Sequence, residues 1–262
     1  MKNISVIIPA FNEEGNVNEL TNQIDATFKN LKNYDYKIIF VENGSTDKTL
    51  DVLKSIQKLN NRVEIVKLSR NFKMDGGIAA GLEQVDSEAA IIMTANLQDD
   101  PAIIPDFIKL WEEGYDHVYG IVKSRPGKSP IRRLNSKFFY YLINKLSNGQ
   151  IPKGVSDYRL VDKKVVNAVR TLGEFNRFYR GFFSWVGFKS IGLEFERNNR
   201  FSGKSHAATL PVLGFALRGI FAFSLTPLRI STFFALFLSA SSIIILGIQI
   251  FRWLRFGVPF DG

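Results

Sequence analysis

An uncharged run of 22 residues, Ile230 to Phe251, limits the fold more strongly than any other segment. As an α-helix, at about 1.5 Å per residue, this run is roughly 33 Å long, which is enough to cross the hydrocarbon core of a bilayer. A buried helix of a soluble core is the alternative, but such helices are rarely this long and uniformly apolar. The sequence therefore predicts a transmembrane helix over 230–254 and a tail over 255–262.

The segment before this run is basic. From Arg197 to Phe260 the chain has no acidic residue and seven arginines and lysines. Residues 207–229 combine apolar and small residues with two arginines, which is typical of amphipathic helices at a membrane surface. A single crossing would leave Arg252 and Arg255 on the far side, against the positive-inside tendency. This charge pattern is therefore unusual for a chain that crosses the membrane once.

Composition excludes several function classes. Without cysteine, the chain has no disulfide framework, no Cys-based zinc site and no thiol chemistry. Its two histidines leave little scope for a His-rich metal site or a Ser–His triad. A net charge of +9 favours a polyanionic partner such as nucleotide phosphates or an anionic membrane. Nucleic acid is not expected, because the basic residues are not interleaved with aromatic residues in a recognisable module.

Apolar, β-branched runs alternate with amphipathic segments in the first half of the chain. The predicted strands cover 4–9, 36–41, 63–68, 89–94 and 115–122, and the predicted helices cover 14–31, 46–59, 76–85 and 103–113. This alternation predicts an α/β fold with an open, mainly parallel sheet covered on both faces. Ligands of such sheets bind at the carboxyl ends of the strands, so the loops after the first four strands are candidate site loops.

The first two of these loops carry polar groups. Asn12 and Glu13 follow Pro9, which we expect to end the first strand; taken alone, this loop is better explained by Asn12 as a helix N-cap with acids in the first turn. Glu42 ends the second strand, where an acid can accept hydrogen bonds from a ribose or a base. A tight turn at Asn43 would also explain this loop. The G-x-G-x-x-G and P-loop motifs are missing from the sequence, which argues against NAD and P-loop sites.

The next two loops add a cation and oxygen ligands. Arg70 follows the third strand and could contact a phosphate. Asn96, Gln98, Asp99 and Asp100 follow the fourth strand and offer hard oxygen atoms that suit Mg²⁺ or Mn²⁺ beside a diphosphate. A plain strand-to-helix turn is the alternative for this loop. Because the four loops follow successive strands, their combination favours a single binding site.

Six segments occur in a fixed order: SVIIPAFNEE, VENGSTDKT, LSRNF, NLQDDP, SDYRLVD and RFSGKSH. Together they resemble family-2 glycosyltransferases of the GT-A fold. Within that family they are most similar to the polyprenyl-phosphate branch of dolichol-phosphate-mannose-synthase-like and bactoprenol-glucosyltransferase-like proteins. The resemblance extends over nearly the whole chain, and it implies a GT-A catalytic domain with a Rossmann-like sheet over 1–206. Related proteins usually have a second transmembrane helix after the first, so the resemblance also implies a second helix that is absent or truncated in this sequence.

The resemblance also implies roles for individual residues. The nucleotide sugar would be bound by Pro9, Ala10, Asn12, Glu13, Glu42, Asn43, Ser45, Asp47, Arg70 and Asn96. Asp157 would be the catalytic carboxylate that positions the acceptor and removes a proton if one is present. The acceptor phosphate would be bound by Arg125, Arg132, Arg133, Ser136, Arg159, Arg200 and Lys204. A solvated basic face near anionic headgroups would explain this last set equally well.

The loop that resembles the family's metal loop departs from the usual pattern. The family commonly reads D-A-D-L-Q, and its second acid and its glutamine hold the divalent ion. This chain instead has Thr94 and Asn96 in place of the two acids. Mg²⁺ or Mn²⁺ at Asn96 and Gln98, with Asp99 as a compensating acid, is therefore expected to bind weakly.

The resemblance implies a membrane-anchored, inverting glycosyltransferase. It would move a sugar from a UDP- or GDP-linked donor to a polyprenyl monophosphate, from a catalytic domain on the cytoplasmic side of the cell membrane. The N-terminus agrees, because its apolar run is too short and too acidic for a signal peptide. Two alternatives stay open: a family-2 transferase with a glycolipid or polysaccharide acceptor, and a degenerate nucleotide-sugar-binding protein without activity. Formation of a homo-oligomer is also left open.

Overall fold

The computed structural model of the chain describes residues 1–123, 154–173, 177–198 and 226–257. The chain divides into two units, Met1–Ala222 and Phe223–Gly262. The elements of the first unit are, in chain order, β1 (Lys2–Ala10), α1 (Val17–Lys29), β2 (Tyr34–Glu42), α2 (Thr49–Leu59), β3 (Val63–Lys67), α3 (Lys73–Glu83), β4 (Ala89–Ile92), a 3₁₀ turn (Pro101–Ile103), α4 (Ile104–Glu112), β5 (His117–Val122), β6 (Val155–Asp162), α5 (Lys163–Arg170), α6 (Tyr179–Trp185) and β7 (Ser190–Phe195).

The strands form one sheet in the order β3-β2-β1-β4-β6-β5-β7. Strand β6 runs antiparallel to its neighbours β4 and β5, and the other neighbouring strands are parallel. The carboxyl ends of six strands therefore meet at one edge of the sheet, and the amino end of β6 lies at that same edge. This confirms the predicted α/β architecture and places the loops after β1 to β4 at the same edge as the start of β6, with β4 as its direct neighbour.

Strand β1 continues through Pro9 to Ala10, so the expectation that Pro9 ends the strand is wrong. The pairing of β1 with β4 stops at Ile7, whereas its pairing with β2 continues to Ala10. The Ile7 carbonyl accepts a hydrogen bond from Met93, and the Ala10 carbonyl accepts one from Asn43, so alternate residues face alternate neighbours. Pro9 therefore turns its missing N–H toward the side where β4 has already ended, and no ladder hydrogen bond is lost.

Helices cover both faces of the sheet. On one face, alternate residues of β1 pack in a single core with apolar residues of α1 and α4: Ile4, Val6, Ile8, Val17, Leu20, Ile24, Phe107 and Ile108. On the other face, α3 lies unusually close to β1 because it carries glycine there. A Cβ atom at Gly81 would lie 2.3 Å from Cγ2 of Ile7. Each buried aliphatic side chain contributes about 1.5–3 kcal/mol, so these two layers supply most of the stability of the sheet.

We expect Gly81→Ala to destabilise the first unit by about 1–3 kcal/mol, because the added methyl group would overlap Ile7 in the centre of the sheet. The better helix propensity of alanine, about 1 kcal/mol, offsets part of this clash. Thermal unfolding of the purified full chain measures the change. Gly173→Ala is the control, since a Cβ atom there has no neighbour within 4 Å. Equal melting temperatures for the two variants would contradict the close approach of α3 to β1.

The second unit is described by one long helix, α7 (Thr226–Phe256). Within it, Leu228–Phe256 is long and apolar enough to be a candidate membrane span. Large apolar side chains along it are exposed, among them Phe233 and Ile243. Such exposure is costly in water and agrees with a lipid environment. The predicted span over 230–254 falls within α7, whereas residues 207–225 of the expected amphipathic segment lie outside the described residues.

Candidate active site

The loops after β1 and β2 interlock through side-chain hydrogen bonds. Asn12 Oδ1 accepts a hydrogen bond from the backbone N–H of Thr46 at 2.9 Å, and the Asn12 N–H donates to Ser45 Oγ at 3.1 Å. The Glu13 N–H donates to the Thr49 hydroxyl at 2.8 Å. Asn12 also has φ 56°, a backbone angle that few non-glycine residues adopt and that concentrates at functional sites. The two loops therefore form one rigid surface at the carboxyl edge of the sheet.

The loop after β2 is also locked to the loop after β3. Asn43 Oδ1 accepts a hydrogen bond from the Phe72 N–H at 2.8 Å, and Asn43 Nδ2 donates to the Lys73 carbonyl at 2.9 Å. Gly44 has φ 71°, and a Cβ atom there would lie 2.6 Å from the Arg70 backbone, so this approach requires glycine. The Arg70 side chain itself is exposed, with its guanidinium 4.5 Å from the centre of the Phe72 ring.

The residues predicted to bind the nucleotide sugar fall into two groups. Those that are buried, and so shape the loops from within, are Pro9, Ala10, Glu42 and Asn43. Glu42, for example, accepts a hydrogen bond from the Ser45 N–H at 2.5 Å. Those with exposed or partly exposed side chains are Asn12, Glu13, Ser45, Asp47, Arg70 and Asn96. The second group is the one that a ligand could reach directly.

The loop after β4 is closed on itself. Asn96 Oδ1 accepts a hydrogen bond from the Gln98 N–H at 3.1 Å, and Asn96 Nδ2 donates to Gln98 Oε1 at 3.1 Å. The Thr94 hydroxyl lies 2.9 Å from Asn96 Oδ1 and 2.5 Å from Asp99 Oδ2. Asp99 is fully buried, and its Oδ2 also accepts from the Thr94 N–H at 3.0 Å, while its Oδ1 pairs with Arg197 at 3.0 Å.

These contacts do not fit a divalent cation. Mg²⁺ and Mn²⁺ prefer charged oxygen ligands, but Asn96 and Gln98 offer neutral oxygens that already accept hydrogen bonds within the loop. Both oxygens of Asp99 are engaged by protein donors, and Asp100 caps the next turn through the Ala102 N–H at 2.9 Å. Among the described residues, no group of three or more His, Cys, Asp or Glu side chains could hold a metal. The structure therefore does not support Asp99 as a compensating ligand.

Asp157 lies at the amino end of β6. Because β6 is antiparallel, this end sits at the edge where the loops after β1 to β4 also lie. Asp157 Oδ1 accepts a hydrogen bond from Arg180 Nε at 3.1 Å, and its Oδ2 accepts one from Arg180 Nη2 at 2.7 Å. Burial alone would raise the pKa of Asp157, but the paired Arg180 and the nearby Arg159 and Arg197 lower it below its usual value. Asp157 is therefore a carboxylate at neutral pH.

Arg159 was expected at the acceptor phosphate, but its side chain is only 1% exposed. Its Nη2 donates to the Ser156 carbonyl at 2.7 Å, and its Nε donates to the Asp157 carbonyl at 3.2 Å. Its guanidinium also lies 4.9 Å from the centre of the Phe183 ring. Burial lowers the pKa of Arg159 to about 10, so it stays charged at neutral pH. These contacts support the backbone at Asp157 and do not support a direct contact between Arg159 and a lipid phosphate.

Comparison with known proteins then decides the family. Residues 5–170 match the family model described as Glycosyl transferase family 2. The chain belongs to glycosyl transferase family 2. An uncharacterized glycosyltransferase of Synechocystis sp. is 37% identical over 259 residues, which cover 99% of this chain and 81% of that protein. A bactoprenol glucosyl transferase of Shigella phage SfV is 32% identical over 259 residues, which cover 99% of this chain and 84% of that protein.

Solved structures share the fold of this glycosyltransferase. The crystal structure of glucosyl-3-phosphoglycerate synthase from Mycobacterium tuberculosis has a TM-score of 0.58 at 17% identity, covering 86% of this chain and 80% of that one. The same enzyme in complex with Mn²⁺ and UDP-glucose has a TM-score of 0.56 at 18% identity, covering 86% and 78%. The GT-A fold that the sequence resemblance implied is thereby confirmed.

Six predicted acceptor residues of this glycosyltransferase lie outside the described residues: Arg125, Arg132, Arg133, Ser136, Arg200 and Lys204. Their assignment remains a prediction. Sequence reasoning in turn gave no role to Asp75, Arg180 and Arg197, which the structure places around Asp157 and Asp99. Arg180 interrupts the aromatic run FYRGFF, and a charge in such a run is a signal for a buried ion pair. Nothing comparable distinguishes Asp75.

Asp75 is a largely buried carboxylate in the first turn of α3, and its Oδ1 accepts a hydrogen bond from the Tyr179 N–H at 3.0 Å. Burial raises its pKa to about 6; the negative Asp157 adds to this shift, while the Tyr179 hydrogen bond and the positive Arg180 and Arg159 oppose it. Because this pKa lies above the usual value of about 3.9, the folded state binds the proton more tightly than the unfolded chain. The resulting stability is present below about pH 4 and is lost as the pH rises through about 6.

Asp75→Asn should remove this pH dependence. Asparagine stays neutral and can still accept the hydrogen bond from Tyr179, so the variant should be about 1–3 kcal/mol more stable than wild type at pH 8 and should approach it in stability only below about pH 4. Unfolding of both proteins, measured from about pH 4 to pH 8 in the same detergent, tests this. Parallel curves for the two proteins would show that Asp75 does not titrate differently on folding.

Proposed function

We propose that this glycosyltransferase transfers a sugar from a nucleotide sugar to the phosphate of a polyprenyl monophosphate, with inversion at the anomeric carbon. The observation that carries the proposal is the position of Asp157, a carboxylate at the sheet edge where the loops after β1 to β4 lie. We further propose that α7 anchors the enzyme in the cell membrane, with the catalytic unit on the cytoplasmic side.

Three observations support the choice of substrates. The relative from Shigella phage SfV is named a bactoprenol glucosyl transferase, and it matches 99% of this chain, including α7. A structural neighbour was crystallised with UDP-glucose, which supports a nucleotide sugar as the donor. The acid-free, basic stretch before and within α7 suits an acceptor that carries a phosphate at a membrane surface.

In the proposed reaction, a phosphate oxygen of the acceptor attacks the anomeric carbon of the donor sugar. The bond from this carbon to the donor diphosphate breaks, and the nucleoside diphosphate leaves with the bonding electron pair. A phosphate monoester is largely ionised at pH 7, so Asp157 removes at most the one remaining proton. Its main role is to orient the acceptor, because holding the two reactants in the right geometry lowers the barrier to transfer.

The leaving diphosphate needs positive charge around it. The loop after β4 carries no carboxylate that is free to bind a divalent cation, because Asp99 is paired with Arg197 and Asp100 caps a turn. Arg70 is exposed in the loop after β3, and its backbone packs against Gly44 in the loop after β2. We assign to Arg70 part of the stabilisation of negative charge that develops as the diphosphate departs.

The test uses the full chain in phospholipid-containing detergent, with radiolabelled UDP- and GDP-sugars offered one at a time. The acceptors are a polyprenyl monophosphate and, as the matched control, the same polyprenol without phosphate. We expect label in the lipid fraction with one donor and only with the phosphorylated lipid. Transfer to a glycolipid or polysaccharide, with none to polyprenyl phosphate, would reject the acceptor. Donor binding without transfer to any acceptor would indicate a non-catalytic protein.

A further inference from the structure

The carboxylate of Asp157 is paired with an arginine from a separate helix. Arg180, on α6, contacts both carboxylate oxygens, with Nε–Oδ1 and Nη2–Oδ2 distances of 3.1 and 2.7 Å. The two side chains are only 20% and 21% exposed, so water competes weakly for these hydrogen bonds. A guanidinium that binds a carboxylate through two parallel hydrogen bonds fixes its plane as well as its position. Single-point pairing by a lysine would fix the position alone.

Helix α6, which carries Arg180, is connected to the loops predicted to bind the nucleotide sugar. The first residue of α6, Tyr179, donates its backbone N–H to Asp75 on α3 at 3.0 Å. The residue before α3 is Phe72, whose N–H is bound by Asn43 in the loop after β2. A continuous set of contacts therefore connects the loops predicted to bind the nucleotide sugar, through α3 and α6, to Asp157.

The β6 backbone supplies the other support. Arg159 donates to the carbonyls of Ser156 and Asp157, and its guanidinium lies against Phe183 on α6. The Asp157 main chain and its side chain are thus held by two different arginines, of which only Arg180 contacts the carboxylate oxygens in the described residues. Removing Arg180 would leave the backbone in place and free the carboxylate to rotate.

We propose that Arg180 is a positioning residue for sugar transfer: it fixes the orientation of the Asp157 carboxylate, and Asp75 places it through the start of α6. This inference rests on the proposed role of Asp157 in the transfer reaction. Arg180 does not need to touch either substrate. Its contribution should appear in kcat and in the pH profile, and much less in the KM for the donor.

The charged groups around Asp157 predict the direction of the pH effect. Burial raises the pKa of Asp157, and Arg180 is the strongest of the three cations that lower it, the others being Arg159 and Arg197. Asp75, which also faces this cluster, is a carboxylate whose own pKa is raised. Without Arg180, the pKa of Asp157 should therefore be higher, and the acidic limb of the kcat–pH profile should shift to higher pH.

The experiment compares Arg180→Gln and Arg180→Lys with wild type in the full chain, using the lipid-phosphate transfer assay between pH 5 and 8. For Arg180→Gln we expect kcat to fall about 100-fold at pH 7, with a KM for the donor within about threefold of wild type and an acidic limb at higher pH. Arg180→Lys should return the acidic limb toward its wild-type position, because it restores the charge, but should stay about tenfold slower, because it lacks the two-point contact.

Arg177→Gln is the matched control. Arg177 is an exposed arginine just before α6, so its loss should change kcat by less than about twofold. A wild-type kcat and a wild-type pH profile in Arg180→Gln would overturn the proposal.

If thermal unfolding shows that Arg180→Gln does not fold, the kinetics of Arg180→Lys test the proposal instead. A wild-type kcat in that variant overturns the proposal, and a lowered kcat with a normal KM for the donor supports it. Full activity of Asp157→Asn would instead reject the proposed role of Asp157, which separates the two failures.

Discussion

Asp157→Asn is expected to lower kcat for sugar transfer by about 1,000-fold, within the range found for removal of a catalytic carboxylate. Asparagine has nearly the same shape but no charge, so it can neither accept the last acceptor proton nor keep both carboxylate contacts with the Arg180 guanidinium. Binding of the nucleotide sugar should change by less than about threefold, because the donor loops after β1 to β3 are held by their own hydrogen bonds. Transfer kinetics and donor titration of the same preparation measure both quantities.

Asp162→Asn provides the control for this change. Asp162 lies on the same strand, but at the opposite edge of the sheet. It accepts hydrogen bonds from the Lys164 N–H at 2.9 Å and from Trp111 Nε1 at 2.8 Å, which are structural contacts. Its replacement should reduce stability by about 1 kcal/mol and leave kcat unchanged. Equal loss of activity in both variants would mean that the Asp157 effect reports damage to β6 rather than lost chemistry.

The order and type of the early elements could be predicted because they depend on local pattern. Strand β1 has a central run of apolar, β-branched residues that must be buried, and helices α1 and α2 each place apolar residues at helical spacing on one face. The ends were less predictable. The proline at position 9 lies within β1, because β4 stops earlier than β2 and leaves its side of the strand free.

Strand β6 could not be predicted, because its partners are distant in sequence. It pairs with β4 and β5, and its first half shows no simple alternation that sets it apart from a loop. Its antiparallel direction nevertheless decides the position of Asp157, since a parallel β6 would have placed that residue at the opposite edge. The predicted convergence of the strand-end loops is thus correct, but the physical reason that Asp157 joins them is a long-range one.

The sequence also could not predict which polar side chains of the site are engaged within the protein and which are available to a substrate. From the sequence, Asp99 is predicted to be a free metal ligand. In the structure it is paired with Arg197, which lies 98 residues later in the chain. From the sequence, Asn43 is predicted to contact the ligand. In the structure its amide oxygen accepts a hydrogen bond from Phe72 and its amide nitrogen donates one to Lys73. Whether a polar residue is available to a substrate depends on such tertiary partners, and composition and spacing contain no information about them.

Replacing both Thr94 and Asn96 by aspartate is expected to raise the affinity of the protein for Mn²⁺ by about 100-fold. Divalent cations bind tightly where several charged oxygens converge, and affinity follows the number of charged ligands. Thr94 lies 2.5 Å from the buried Asp99 and 2.9 Å from Asn96, so the variant would bring three carboxylates to one loop. Their mutual repulsion favours a cation there. Titration of Mn²⁺ alone, followed by loss of the free-ion EPR signal, measures the affinity.

Asn33→Asp combined with Asn61→Asp adds the same two charges at exposed positions before β2 and β3, at the other edge of the sheet. If net charge alone attracted Mn²⁺, this control would bind it as well as the loop variant does. We expect it to behave like wild type, because two isolated surface carboxylates do not form a coordination site. Equally tight Mn²⁺ binding by wild type and the loop variant would show that Asn96, Gln98 and Asp99 can reorganise into a metal site despite their internal hydrogen bonds, and that the contact between Asp99 and Arg197 opens readily.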